Sequence, residues 1–196
     1  MIKALIFDLG GVVIDFSNSM YYLHLSEASG IPVKRIKTAI EKKELGLLER
    51  GTINLNTFES KVAKSLGIRM KGVEWYSFYT RTVSIDPDVS DIINVLHKEY
   101  ITAFISNIDK SRYAYTMRIL DLDLFDFRFA SCYVGIRKPS PGIFRHALRT
   151  IGIKAEEAVF IDNQLENVEG AARLGIRSLH FTSRRKLDIQ LSKLGL

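Results

Sequence analysis

The sequence predicts an α/β protein: a doubly wound, Rossmann-like parallel sheet carrying an inserted all-helical segment. Three observations predict it. An apolar run, Ala4 to Phe7, opens the chain and leads straight into Asp8 and the glycine pair Gly10 and Gly11. Between residues 16 and 85 the apolar spacing becomes that of helices, and from residue 86 strand-like and helix-like segments alternate to the end. Such alternation makes a parallel sheet with helices on both faces, because right-handed crossovers return each helix over the sheet.

Taken in order, Lys3 to Leu9 reads as a short buried strand, apolar throughout its centre and bounded by glycine. From Ser17 to Val83, Ile36 with Ile40, then Phe58, Val62, Ala63 and Leu66, recur at helical spacing. Gly30, Gly46 and Gly67 stand where helices are expected to stop, and Asn56 with Glu59 resembles a capping box. Asp86 and Pro87 fit the cap and first position of a helix whose apolar face is Val89, Ile92, Ile93 and Leu96. A strand follows at Ile101 to Ser106, a helix through Tyr113, Met117 and Leu120, and a strand near Phe129 to Tyr133. Ser140 and Pro141 open a helix with Ile143, Phe144, Ala147, Leu148 and Ile151 inward. Ala158 to Ile161 is a further strand, Leu165 to Leu174 a helix, Arg177 to Phe181 the last strand, and Arg184 to Lys186 the start of a final helix. The expected division is a core of residues 1–15 and 86–196 around a helical insert of residues 16–85.

Composition narrows the class. Hydrophobic residues at 46% and charged residues at 26% exclude a disordered or fibrous chain. The single cysteine, Cys132, cannot form an internal disulfide and suits a reducing compartment as a small buried hydrophobe. No apolar segment reaches the roughly 18 residues of a membrane span, so a soluble, cytoplasmic protein without a membrane partner is expected. Net charge is +6, and residues 16–85 hold 11 Lys/Arg against 6 Asp/Glu, so the basic excess sits in the insert. No basic run with interleaved aromatics marks a nucleic-acid surface, and the four histidines are scattered without ligand spacing.

In open parallel sheets, ligands bind beyond the carboxyl ends of the strands. Asp8, Ser106 and Asp162 each stand at such an end and would converge on one crevice. A carboxylate there can be a nucleophile when a metal and a cation balance the charges it meets. Lys138 offers the cation, and the glycines after Asp8 let main-chain N–H groups approach an anion. An oxygen-rich cluster with Asp8 and Asp162 suits Mg²⁺.

The stretches "FDLGGVVID", "ISN", "GIRKPSPGIF" and "VFIDNQLENVEGAARLG" together resemble the four motifs of the haloacid dehalogenase superfamily, in the branch with a helical cap after the first motif. The resemblance spans the whole chain. Within that branch it is similar to phosphatases, such as bacterial sugar-phosphate phosphatases of the glucose-1-phosphate type and the N-terminal phosphatase domain of soluble epoxide hydrolases. It implies a Mg²⁺-dependent phosphatase that hydrolyses a small phosphorylated metabolite through an aspartyl-phosphate. Asp8 would be the nucleophile and a metal ligand, with Ser106 and Asn107 on the phosphoryl oxygens. Lys138 would neutralise nucleophile and phosphate together, and Asp162 and Asn163 would complete the metal site with the Gly10 carbonyl. Asn167 would brace the loop, and the insert would be a cap that selects substrate.

Two positions depart from that pattern. The phosphatases usually carry an acid/base Asp where this chain has Gly10, a group typically worth about 10²–10⁴ in rate. Asp15 and Glu166 are the nearby carboxylates considered as substitutes. Asn163 stands where a second adjacent Asp is common, which removes one anion from the metal site. Two alternatives therefore stay open: a metal-independent haloacid dehalogenase, and a non-catalytic phosphate- or partner-binding module. The aromatic group Trp75, Tyr76, Phe78 and Tyr79 reads as core of the insert or as lining of a substrate pocket.

Overall fold

The computed structural model describes every residue except 42, 43, 70 and 72. Five strands, β1 Ala4–Phe7, β4 Ile101–Ser106, β5 Phe127–Ala130, β6 Ala158–Asp162 and β7 Arg177–His180, form one sheet in the order β5-β4-β1-β6-β7. Every pairing in it is parallel. The chain starts in the middle, builds outward through β4 and β5, then returns to the other side of β1 for β6 and β7. Strand order therefore reverses between β1 and β6, the kind of switch point where such sheets open a crevice.

Side chains alternate cleanly across the sheet, as the two-residue period of a strand requires. Leu5, Phe7, Phe104, Val159 and Ile161 share one face, and Ile6, Ala103, Ile105 and Phe160 the other. Helices α6 Pro87–Leu96 and α11 Arg184–Ser192 cover the first face with Val89, Ile93, Leu187 and Leu191. Helices α9 Pro141–Ile151 and α10 Leu165–Ala172 cover the second with Ile143, Phe144, Ala147 and Ala171. This is the doubly wound arrangement expected. Each large side chain so buried contributes roughly 1.5–3 kcal/mol.

Helix ends follow the local chemistry. Asp86 accepts hydrogen bonds from Asp88 N and Val89 N at 3.0 and 3.1 Å, with Pro87 at the first helical position. Between two short strands, β2 Ile14–Asp15 and β3 Ser84–Ile85, lie α1 Asn18–Ser29, α2 Val33–Glu41, α3 Glu44–Glu49, α4 Leu55–Leu66 and α5 Trp75–Thr82. The two strands pair antiparallel, Ile14 with Ile85 and Asp15 with Ser84. Gly30 and Gly67 end α1 and α4 in the left-handed conformation, as their positions suggested.

Three local expectations are corrected. Gly46 lies inside α3, where Arg50 and Arg137 guanidinium groups approach its Cα side. Asn54 caps α4, accepting from Thr57 N at 2.8 Å, while Glu59 is drawn instead to Trp75 N at 3.2 Å. The strand expected at Phe129 to Tyr133 ends at Ala130 and turns into α8 Ser131–Val134. There Ser131 Oγ donates to Glu49 O and accepts from Ile108 N, tying the chain down where a ladder would have continued.

Of the aromatic group, Trp75, Phe78 and Tyr79 are buried in the insert core, Tyr76 is half-buried, and Tyr79 also lines the crevice, with Tyr21 edge-on to Trp75 and Phe16 edge-on to Tyr79. Cys132 is buried too, and desolvation pushes its thiol up to about 11. No helix among the described residues is long and apolar enough to cross a membrane.

Candidate active site

The register of the sheet brings the predicted residues to one edge. Phe7 lies opposite both Phe104 and Ile161, so Asp8, the next residue, emerges beside the ends of β4 and β6. Its N–H donates to Ile161 O at 2.8 Å, which holds it in line with the sheet. Asp162 closes β6 and Ser106 closes β4.

Lys138 joins the two carboxylates. Its Nζ lies 2.8 Å from Asp8 Oδ1 and 2.7 Å from Asp162 Oδ2, and the side chain is 1% exposed. Asp8 Oδ1 also accepts from Leu9 N at 2.7 Å, while Asp8 Oδ2 takes no hydrogen bond among the described residues. Asp162 accepts three hydrogen bonds: Oδ2 from Lys138 and from Asn167 Nδ2 at 3.0 Å, and Oδ1 from Gln164 N at 2.7 Å. Two carboxylates thus share one ammonium in a nearly dry site. Burial and then the Asp162 charge push the Asp8 carboxyl up to about 7, against the pull of Lys138. Burial works to lower Lys138, yet Asp162 and Asp8 outweigh it and the ammonium is raised.

Asn107 is occupied with the lysine. Its Oδ1 accepts from Lys138 N at 2.8 Å and its Nδ2 donates to Lys138 O at 2.9 Å. That clamp fixes the loop from which Lys138 reaches inward. Gly170 of α10 supports the same loop from outside, since a Cβ there would lie 2.9 Å from Pro139 O.

A crevice of about 730 Å³ opens over these groups, lined on the sheet side by Asp8, Gly10, Ser106, Asn107, Lys138 and Asn163. Asp162 lies beneath it, fully buried. Asn163 carries an orphan: its Oδ1 is buried without a hydrogen-bond partner, while His180 Nε2 holds its main-chain O at 3.0 Å. Gly11 makes room for that amide, being left-handed (φ 77°) with Asn163 Nδ2 2.1 Å from where a Cβ would stand. Of the two carboxylates considered as substitutes for an acid at Gly10, Glu166 lines the crevice and Asp15 does not.

The insert supplies the opposite wall with Ser17, Asn18, Tyr22, Lys37, Glu41 and Glu49. The basic excess of the insert is not gathered on this wall among the described residues. Among the described residues only Lys37 of the insert's cations reaches the crevice, 3.8 Å from Glu41. Lys34, Arg35 and Lys61 line a separate outer groove, and residues 42 and 43 lie outside the described residues. Lys34, Arg35 and Lys61 sit on outward helix faces because α2 and α4 bury Ile36, Ile40, Phe58 and Val62.

Sequence reasoning missed a buried ionic cluster behind this wall. Asp109 caps α7 Lys110–Ile119 and accepts from Trp75 Nε1 at 3.3 Å and from Arg112 Nε. The Arg112 guanidinium stacks 4.6 Å from the Trp75 ring and lies 3.5 Å from Glu49 Oε1. Glu49 Oε2 in turn lies 2.8 Å from Arg137 Nη2. Arg137 adjoins Lys138 in a motif already singled out, but nothing in a single sequence marks Glu49 as facing it.

Fold and crevice define an open, parallel-sheet α/β protein whose polar groups gather at the strand ends. The chain belongs to the haloacid dehalogenase-like hydrolases, whose family profile matches residues 2–175. It is 26% identical to a sesquiterpene phosphatase of Aspergillus oryzae, covering 98% of this chain and 96% of that one. It is 28% identical to a drimenol cyclase of Aspergillus calidoustus over 99% of this chain, which spans only 37% of that protein's length. A haloacid dehalogenase-family enzyme from Bacteroides thetaiotaomicron, solved with magnesium and inorganic phosphate, superposes with a TM-score of 0.70 at 22% identity, covering 93% and 95% of the two chains.

Proposed function

We propose that this hydrolase is a Mg²⁺-dependent phosphatase acting on a small phosphomonoester through an aspartyl-phosphate at Asp8. The observation that carries the reading is the Asp8–Lys138–Asp162 arrangement at the strand ends, with Asp8 Oδ2 left without a partner. The phosphatase name of a full-length relative supports it, as does magnesium in a structural neighbour.

The residues present fit the metal. No group of three or more His, Cys, Asp or Glu among the described residues could hold one, so the donors must include amide and main-chain oxygens. Asp8, the Gly10 carbonyl and Asn163 Oδ1 make a hard, all-oxygen set suited to Mg²⁺ rather than to a softer ion, and the orphan Asn163 oxygen gains a partner. Asp162, held by Lys138, Asn167 and Gln164 and lying beneath the crevice, would orient the metal's waters. When bound, the ion offsets charge on the phosphoryl oxygens.

The chain's own residues do the rest. Asp8 Oδ2 attacks phosphorus as the bond to the leaving oxygen breaks, that oxygen taking its proton from solvent, and water then cleaves the aspartyl-phosphate, returning the carboxylate and inorganic phosphate and giving up its proton to solvent. Lys138, with two of its three N–H groups on carboxylates, has one left for a phosphoryl oxygen, and Ser106 donates a second hydrogen bond. Asn107 acts through Lys138 as a positioning residue rather than on the phosphate itself. Residues 16–85 form the cap over the core of residues 1–15 and 86–196. The test is phosphate release from a panel of phosphomonoesters: turnover should require Mg²⁺, stop with EDTA, and vanish in Asp8→Asn. Release that survives both overturns the reading.

A further inference from the structure

The sheet ends at β5, which pairs with β4 alone, so the main-chain N–H and C=O groups along its other side have no ladder partner among the described residues. A groove of about 690 Å³ runs there, sharing no lining residue with the crevice that holds Asp8. Arg128, Phe129 and Ala130 line it in succession. Neighbouring side chains of a strand point to opposite faces, so a groove that touches all three follows the backbone edge itself.

The charge of this groove is one-sided. Arg145 and Arg149, exposed and one turn apart on α9, line it with His146, and Arg128 joins them from the strand. Among the described residues no carboxylate lines it, although residues 1–15 and 86–196 together are nearly balanced, with 17 Lys/Arg against 16 Asp/Glu. Arg128 Nη2 donates to Leu122 O at 2.6 Å and Phe125 O at 3.3 Å, which anchors the guanidinium without neutralising it. Tyr133, 63% exposed and edge-on to Tyr113, adds apolar surface beside these charges.

We propose that this groove is a docking site for an acidic, extended segment of a partner protein, which adds to β5 as a further strand. The open edge supplies alternating donors and acceptors that a peptide backbone matches, and the arginines set the sign of its side chains. A small polyanion would use the arginines and leave the edge unpaired. A second copy of this chain fits worse, because two β5 edges brought together would set the same arginines against each other. Ile136 and Gly142, which also line the groove, bracket the loop that carries Lys138. A docked segment therefore rests on the flanks of that loop without entering the crevice.

The probe is a labelled seven-residue peptide alternating glutamate and valine, titrated with the full chain at low salt and followed by fluorescence anisotropy. It should bind, and amide hydrogen exchange across Phe127 to Ala130 should slow in the complex. Arg145→Glu combined with Arg149→Glu should weaken binding by about tenfold or more. Methylating alternate backbone nitrogens of the peptide, which removes ladder donors and keeps the charge, should weaken it by a similar factor. Lys34→Glu with Arg35→Glu, in the outer groove, should change it little. Binding that ignores methylation and is displaced by tripolyphosphate would make this a small-anion site and overturn the proposal. Equal loss in the two charge-reversed variants reduces the effect to net charge and overturns it as well. So does failure of the peptide to bind, or self-association of the chain through β5. The methylation comparison on the wild type decides the question if the variants do not fold.

Discussion

At the scale of single residues, the most instructive position is Gly10. Its backbone is not left-handed, and the nearest atom to an added Cβ is Phe16 O at 3.6 Å, ordinary contact distance. Nothing in the conformation demands glycine. Gly10→Asp should therefore be accommodated and, as the missing acid/base, should raise kcat on substrates with poor leaving groups by about tenfold or more; the slope of rate against leaving-group pKa should flatten. At Asn163 the prediction is electrostatic. Asn163→Asp returns an anion to the proposed metal site and should lower the Mg²⁺ concentration for half-maximal activity, measured by metal titration. The convergence of the candidate site was legible in the sequence, because Asp8, Ser106 and Asp162 end apolar strands and Lys138 sits in a distinctive loop. It could not reveal that Asn107 spends both ends of its amide on Lys138, nor that Asp162 lies beneath the crevice wall. Those facts depend on loop conformation, which no spacing records.

At the scale of elements, α7 shows where periodicity fails. Tyr113 and Met117 announce a helix, yet its buried positions are Arg112 and Thr116, because it packs against the insert through charge and hydroxyl rather than hydrocarbon. Thr116 Oγ1 pairs with Tyr79 OH at 2.7 Å, and Arg112 sits between Asp109 and Glu49. Removing the cation while keeping its bulk, as in Arg112→Met, leaves buried Asp109 without its charge partner and Glu49 with Arg137 alone. It should cost about 3–5 kcal/mol, read as a fall in the denaturant midpoint. Helices α6 and α9 were legible for the opposite reason: a Pro at the first position and an apolar stripe that the sheet buries. The premature end of β5 was not, since the Ser131 contacts that stop it come from residues 23 and 82 positions away.

At the scale of the whole molecule, metal binding and folding are linked. Mg²⁺ that binds only the folded chain should stabilise it by about 2.7 kcal/mol at a hundred times its Kd. The melting temperature should rise with Mg²⁺ in the wild type and far less in Asn163→Leu; an equal rise in both would place the ion elsewhere. Among the described residues, Lys34, Arg35 and Lys61 line the outer groove and only Lys37 of the insert's cations lines the crevice, so raising salt should slow substrate encounter little. The two-stranded ribbon of Ile14–Asp15 and Ser84–Ile85 carries a different meaning. Chain leaves the sheet and rejoins it at one spot, so the intervening helices can be lengthened, shortened or exchanged without altering strand register. In evolutionary terms the ribbon is a splice point, at which a lineage can change what it recognises while inheriting its chemistry intact.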